Sequence, residues 1–264
     1  MKQLSIQIRN LSIGYRRKKS EHIVARNIHS TLHSGELTCL IGANGVGKST
    51  LMRTLAAFQP ALAGEIRIED KNITAYSGSE LAKIISVVLT ERVEVNNLSV
   101  SELAGMGRSP YTDFWGTLKS DDEAIIADAL RQVGASHLSH RSVETLSDGE
   151  RQKVMIAKAL TQQTPVIFLD EPTAFLDFPS KVEILQTLHH LSRSMGKTIF
   201  VSTHDLELAL QVADTLWLMD KTQGLTVGSP KELAESGCLE NLFPDKNVVF
   251  DRNTCRFRIN TNLQ

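Results

Sequence analysis

Gly42-Ala43-Asn44-Gly45-Val46-Gly47-Lys48-Ser49 follows a short apolar run, Leu37–Ile41, and leads into a helical pattern reaching about Phe58. A G-x-x-x-x-G-K-S spacing between a strand and a helix suits one task. Gly42, Gly45 and Gly47 let backbone N–H groups curl around a polyphosphate, and the positive end of the following helix adds its attraction. Lys48 would reach the β- and γ-phosphates, and the Ser49 hydroxyl would ligate Mg²⁺. Asn44 and Thr50, within the same turn and helix start, join the candidate set. The loop reads as a nucleoside triphosphate site.

Two further segments carry chemistry. Val166-Ile167-Phe168-Leu169 is a short apolar strand ending in Asp170-Glu171. A carboxylate at the end of a parallel strand points into the crevice where such sheets bind ligands. Asp170 is placed to hold the Mg²⁺ shell, and Glu171 to polarise an attacking water. Leu146-Ser147-Asp148-Gly149-Glu150-Arg151-Gln152 precedes a helical stretch from Lys153 to about Leu160. Ser147 can cap that helix and Gly149 permits close approach, so its start is a second potential anion site. On spacing alone, a well-capped helix is a fully adequate account and the favoured one.

The elements that must position these residues alternate between strand and helix. Leu4, Ile6 and Ile8 mark a half-exposed strand, Ile13 and Tyr15 a second, and the polar stretch Arg16–Glu21 a solvated turn. Ile66 and Ile68 suggest an edge strand, and residues 82–89 a buried one. From there to about Leu146 strand pattern gives way to helical segments, with a capping box predicted at Ser120-Asp121-Asp122-Glu123. Strand pattern resumes at Val166–Leu169, Thr198–Val201 and Trp217-Leu218, and a helix from about Ser180 to Met195 stops at Gly196. A terminal hairpin is expected from Val248–Phe250 and Phe257–Ile259, turning at Asp251–Thr254. This is an α/β pattern: a core at about 1–89 and 149–220, a helical insertion at about 90–148 and an extension at about 221–264.

Composition narrows the class. The 264 residues carry 29 Lys+Arg against 30 Asp+Glu, too weak a net field for a genomic nucleic-acid binder. Ordinary hydrophobic content, 41%, excludes collagenous and wholly disordered chains. No apolar run approaches the roughly 18 residues needed to cross a bilayer, and Met1–Ser5 does not open a secretory signal. Three cysteines without paired spacing fit reduced thiols, Cys39 being a small core residue. A soluble intracellular chain is expected.

With these motifs in place, the sequence resembles the ATPase subunits of ATP-binding cassette (ABC) transporters nearly end to end. The glycine loop resembles Walker A, and Val166–Glu171 looks like Walker B with its catalytic glutamate. Leu146–Gln152 resembles the signature Leu-Ser-Gly-Gly-Gln but reads Leu-Ser-Asp-Gly-Glu, so Asp148 brings a negative charge near a γ-phosphate. Ala174-Phe175-Leu176-Asp177 is similar to the D-loop, His204 to the switch histidine and Tyr15 to the aromatic that stacks on adenine. Outside the resemblance, a histidine after a strand is usually a core or surface residue, whereas for Tyr15 the plain edge-strand aromatic is the lesser reading. The glutamine that opens the helical insertion in the family is missing: Val87-Val88-Leu89 runs into Thr90-Glu91. Thr90 aligns directly, and Glu91 is the isostere one residue later; either would offer Mg²⁺ an oxygen. Val100-Ser101-Glu102-Leu103, Gly107-Arg108-Ser109-Pro110-Tyr111 and the tail Val248–Phe257 are similar to the branch serving importers of iron–siderophore, haem and cobalamin.

The resemblance implies a P-loop (RecA-like) core with an antiparallel β subdomain and a helical signature subdomain. It implies ATP hydrolysis with Mg²⁺, coupled to import of a metal chelate by an integral-membrane permease. The chain would sit peripherally on the cytoplasmic face of the inner membrane, paired with a second copy of itself. A substrate-binding protein would be an indirect partner, and no nucleic acid is expected. The catalytic set would be Glu171, His204 and Lys48, the metal set Ser49, Asp170 and Glu91. The nucleotide contacts would be Tyr15, Gly42, Asn44, Gly45, Gly47, Lys48, Ser49, Thr50, Ser147, Gly149 and Asp177. The alternative is a soluble ATPase of this type without a permease, acting in cluster assembly or as a mechanical clamp.

Overall fold

The computed structural model describes residues 5–17, 20–90, 97–113, 115–222, 224–239, 248–252 and 256–259. In chain order the first half contains β1 (Ser5–Arg17), β2 (Ser20–His33), β3 (Leu37–Ile41), α1 (Lys48–Leu55), β4 (Ala63–Ile68), β5 (Lys71–Asn72), α2 (Gly78–Leu81), β6 (Ile85–Val88), α3 (Val100–Gly105) and α4 (Ser120–Gln132). Then come α5 (Asp148–Thr161), β7 (Val166–Asp170), α6 (Phe178–Met195), β8 (Thr198–Thr203), α7 (Leu206–Val212), β9 (Thr215–Asp220), β10 (Gly224–Gly228), α8 (Pro230–Ser236), β11 (Val248–Asp251) and β12 (Arg256–Ile259).

The central sheet has the order β10-β9-β3-β8-β7-β6 and is parallel except for β10. Its continuous apolar strands are covered on both faces, as parallel sheets require. Alternation then sorts each strand between two cores. Leu37, Cys39 and Ile41 of β3 join Ile167, Leu169, Ile199 and Val201 in a core shared with α3 to α6. Leu40, Val166, Phe168, Phe200 and Trp217 face the other way, against α1 and the buried residues of β1 and β4. There Phe168, Phe200 and Trp217 pack edge-to-face at centroid distances of 5.6 and 4.9 Å. Full burial of each such side chain contributes about 1.5–3 kcal/mol. Cys39 is a core residue, and burial pushes its thiol up to about 12.

A second sheet, β2-β1-β4-β5, is antiparallel. The two strands expected before Arg16 are one: register shifts after Ile8 and Leu11, with Asn10 at φ +48°, re-phase the alternation so that Ile6, Ile8, Leu11 and Ile13 are all buried. The helix after the glycine loop stops at Leu55, short of Phe58, because Ala57 turns left-handed at φ +59°. The cap of α4 also differs from expectation. Ser120 lies inside the helix, and the Asp122 carboxylate accepts from the Lys119 N–H at 2.9 Å.

The helical insertion contains α3, α4, a two-turn 3₁₀ stretch at 106–111 and single turns at 136–138 and 143–145, and α5 packs against α3 and α4. Past the expected boundary at 220, β10 still pairs with β9, and the hairpin β11–β12 inserts Phe250 into the core beneath α7. No helix among the described residues is long and apolar enough to cross a membrane.

Candidate nucleotide site

The ends of β3 and β7, one strand apart across β8, bring the glycine loop and Asp170-Glu171 together. The cleft above them, about 330 Å³, is lined by Tyr15, His22, Val24, Asn44, Gly45, Gly47, Lys48, Ser49, Thr50 and Glu171. Gly47 sits at φ +118°, and a Cβ there would lie 2.3 Å from a Val24 methyl. Only glycine lets β2 close over the loop. No side chain caps α1, so its first N–H groups remain for an anion.

Lys48 is nearly buried, at 5% exposure. Its ammonium donates to the Gly42 carbonyl at 2.9 Å and lies 3.6 Å from Glu171 Oε1. Asp170 is held by Ser202, whose hydroxyl donates to Oδ1 at 2.5 Å, leaving Oδ2 without a donor among the described residues. Glu171 stands at φ +48°, a left-handed conformation that costs about 1–2 kcal/mol outside glycine. Its N–H donates to the Ser202 carbonyl and hydroxyl at 3.1 and 2.9 Å, which stabilises the turn. The turn swings the carboxylate off the strand line, toward Lys48 on one side and His204 Nδ1, 3.9 Å from Oε2, on the other.

Tyr15 projects from β1 with its ring half-exposed and its hydroxyl 2.8 Å from Thr50 Oγ1. His22, paired with Tyr15 across β1 and β2, and Val24 are cleft residues that sequence reasoning missed, because it stops the turn at Glu21 and assigns no element to the residues that follow. Ser202, two residues before His204, is likewise absent from the residues singled out by sequence. Thr90 Oγ1 donates to the Asp170 carbonyl at 2.6 Å, fastening the end of β6 to the carboxylate pair. Glu91 lies outside the described residues.

Ser147, Gly149 and Asp177 are not among the residues lining this cleft. Ser147 caps α5 in a reciprocal box with Glu150: the Ser147 hydroxyl accepts from the Glu150 N–H at 3.2 Å, and the Glu150 carboxylate accepts from the Ser147 N–H at 2.8 Å. Those bonds hold the Glu150 carboxyl below the usual range, which explains a glutamate at this place. Asp177 caps α6 through the Ser180 N–H at 3.1 Å. Gly149 lies against Ser180, so the starts of α5 and α6 adjoin.

A glycine loop at the end of β3 and a carboxylate pair at the end of β7, with β8 between them, define a P-loop nucleoside triphosphatase. Comparison with known proteins narrows this. Residues 25–174 match the ABC transporter family. An uncharacterized ABC transporter ATP-binding protein of Methanocaldococcus jannaschii is 37% identical over 97% of this chain and 87% of its own length. The ferric enterobactin transport ATP-binding protein FepC of Escherichia coli is 32% identical over 91% and 88%. Among solved structures, a metal-chelate type ABC transporter in an inward-facing conformation superposes with a TM-score of 0.78, at 27% identity over 91% of this chain and 89% of that one. The chain belongs to the ABC transporter family, as an ATP-binding ATPase subunit.

Proposed function

We propose that this chain hydrolyses ATP to energise import of an iron chelate through an integral-membrane permease. The observation that carries the chemistry is that Lys48 and Glu171 both line the cleft above the glycine loop, 3.6 Å apart, while His204, outside that lining, reaches to 3.9 Å of Glu171. The similarity to a ferric enterobactin transport protein and to a metal-chelate type transporter supports the cargo class.

The backbone of Gly42–Ser49 and the start of α1 would cradle the phosphates, with Asn44 and Thr50 at the rim and Tyr15 against the adenine. Ser49 and Asp170 are hard oxygen donors suited to Mg²⁺, which when bound would neutralise charge on the β- and γ-phosphates. Glu171 would orient and polarise the water for in-line attack, and His204 would contact the γ-phosphate. The Lys48 ammonium would pass from Glu171 to the phosphates, releasing the carboxylate as base. Ser147, Gly149 and Asp177 would meet the nucleotide of a second copy, closing the site against water. The chain would sit on the cytoplasmic face of the membrane beneath the permease, with a substrate-binding protein engaged only through it.

Two measurements test this. Glu171→Gln keeps the hydrogen-bonding shape but slows the chemical step, so Mg-ATP should shift the variant to twice its mass on size-exclusion chromatography. A strictly monomeric variant at saturating ATP would defeat the shared site. Affinity purification from native membranes should bring down a multi-span protein; recovery only in soluble complexes would defeat the transporter reading.

A further inference from the structure

The Gly107–Tyr111 segment has no place in the cleft, yet the structure gives it a dense set of bonds. It forms most of a two-turn 3₁₀ helix, Met106–Tyr111, between α3 and α4. A Cβ on Gly107 would lie 2.1 Å from the Lys158 carbonyl, so the segment lies flush on the last turn of α5. Arg108 is 6% exposed. Its Nε donates to Asp122 at 2.7 Å, and Nη1 to the Thr161 carbonyl at 2.9 Å and to Gln163 Oε1 at 2.8 Å. The Tyr111 ring covers the guanidinium at 4.1 Å, and its hydroxyl donates to the Gln162 carbonyl at 3.1 Å. Gln162 Nε2 in turn donates to the carbonyls of Ala82 and Ile85 at 2.6 and 3.2 Å, tying the same spot to β6. Residues 161–163 are thus gripped by the helical insertion on one side and by the core sheet on the other.

At the opposite end of α5, Glu150 pairs with Arg141 at 3.2 Å and Lys153 with Glu183 at 2.6 Å. Toward the site, Leu103, Met106, Gln152 and Met155 face Leu89, Thr90 and Glu171 across a cavity of about 80 Å³. Gln152 Nε2 is buried there without a hydrogen-bond partner among the described residues. Fourteen residues make α5 a lever of about 21 Å. A tilt of about 5° at its base would move its tip by about 2 Å, and misplacement on the ångström scale costs orders of magnitude in rate.

We propose that Arg108 and Tyr111 are positioning residues: by clamping residues 161–163 they fix the base of α5, and so the aim of Ser147 and Gly149 at the nucleotide of a second copy. This rests on the shared-site reading above. The orientational entropy that a loose α5 would lose on closure is already removed by the clamp.

The test compares the full chain carrying Glu171→Gln with the same chain carrying also Tyr111→Phe or Arg108→Lys. Tyr111→Phe deletes one hydroxyl and keeps the ring; Arg108→Lys keeps the charge and loses the fork. Two quantities are read: binding of a fluorescent ATP analogue at protein concentrations where the chain is monomeric, and the protein concentration giving half-maximal dimer in Mg-ATP. Analogue affinity should stay within twofold while the dimerisation midpoint rises about tenfold. A general loosening would weaken both together, lowering analogue affinity while the dimerisation midpoint rises, and that result overturns the proposal. If the parent dimerises and both variants match it, the positioning role fails and the shared site stands. If the parent never dimerises, the shared site fails and the positioning role with it. Should Arg108→Lys not fold, Tyr111→Phe decides alone.

Discussion

The Lys48 ammonium and the Glu171 carboxylate face each other at 3.6 Å across the mouth of the glycine loop. On the proposed reading, a cation meant for phosphate and a base meant for water would restrain each other until a triphosphate arrives. Lys48→Ala removes the charge from the phosphate cradle and leaves Glu171 facing the incoming anion. Phosphate release should fall by at least about 100-fold. A variant hydrolysing ATP at the parent rate would refute the assignment of the loop.

Tyr15 offers two separable contacts, a ring face and a hydroxyl bonded to Thr50. Stacking a base on an aromatic contributes about 1–3 kcal/mol, so Tyr15→Ala should raise KM for ATP about tenfold with kcat nearly unchanged. Tyr15→Phe should shift KM by less than about threefold. Equal effects of the two substitutions would mean that the hydroxyl, not the ring, carries the interaction.

The missing glutamine gives a paired test. Glu91→Ala should uncouple ATP hydrolysis from transport in reconstituted vesicles while leaving nucleotide binding near normal. Thr90→Ala removes the bond to the Asp170 carbonyl and should lower hydrolysis and transport in parallel. If Thr90→Ala uncouples and Glu91→Ala does not, the direct alignment is the right one.

Asp122 sets an acid limit on the clamp beneath α5. The Lys119 N–H, then the Arg108 guanidinium, hold its carboxyl below the ordinary value. A lowered carboxyl contributes stability above its unfolded pKa, about 3.9, and loses it as pH falls through the folded value. The Tm gap between parent and Asp122→Asn should therefore be constant from neutral pH to about 4.5 and narrow only below that. A gap that narrows already between pH 7 and 5 would contradict this.

Legibility tracked distance along the chain. The glycine loop and Asp170-Glu171 declare themselves because their demands are local: glycines within eight residues, a charge at a strand end. The hydroxyl of Ser202 on Asp170 spans 32 positions and exists only because β7 pairs with β8, which no local pattern states. β2 was hidden because half of its exposure pattern is solvent-facing, with Ile28 and Leu32 its buried apolar residues, so alternation is faint. The helix after the glycine loop was overextended because Phe58 suits a helical face, while the left-handed Ala57 ends it by backbone geometry. The Gly107–Tyr111 segment with Arg108 is visible as a pattern, but the partners of Arg108 on α4 and α5 come only with the fold.

The sorting of β7 between two cores has a consequence for insertions and deletions. Ile167 and Leu169 belong to one side, Val166 and Phe168 to the other, and Asp170 follows one step later. Exchanging Ile167 for valine costs about 0.5–1.5 kcal/mol and leaves the carboxylate where it is. Removing one residue turns every side chain to the opposite face and carries Asp170 away from Ser202 and the cleft. Side-chain shape along this strand can drift, whereas its length cannot, and the same count that fills the cores measures out the distance to the reacting phosphate.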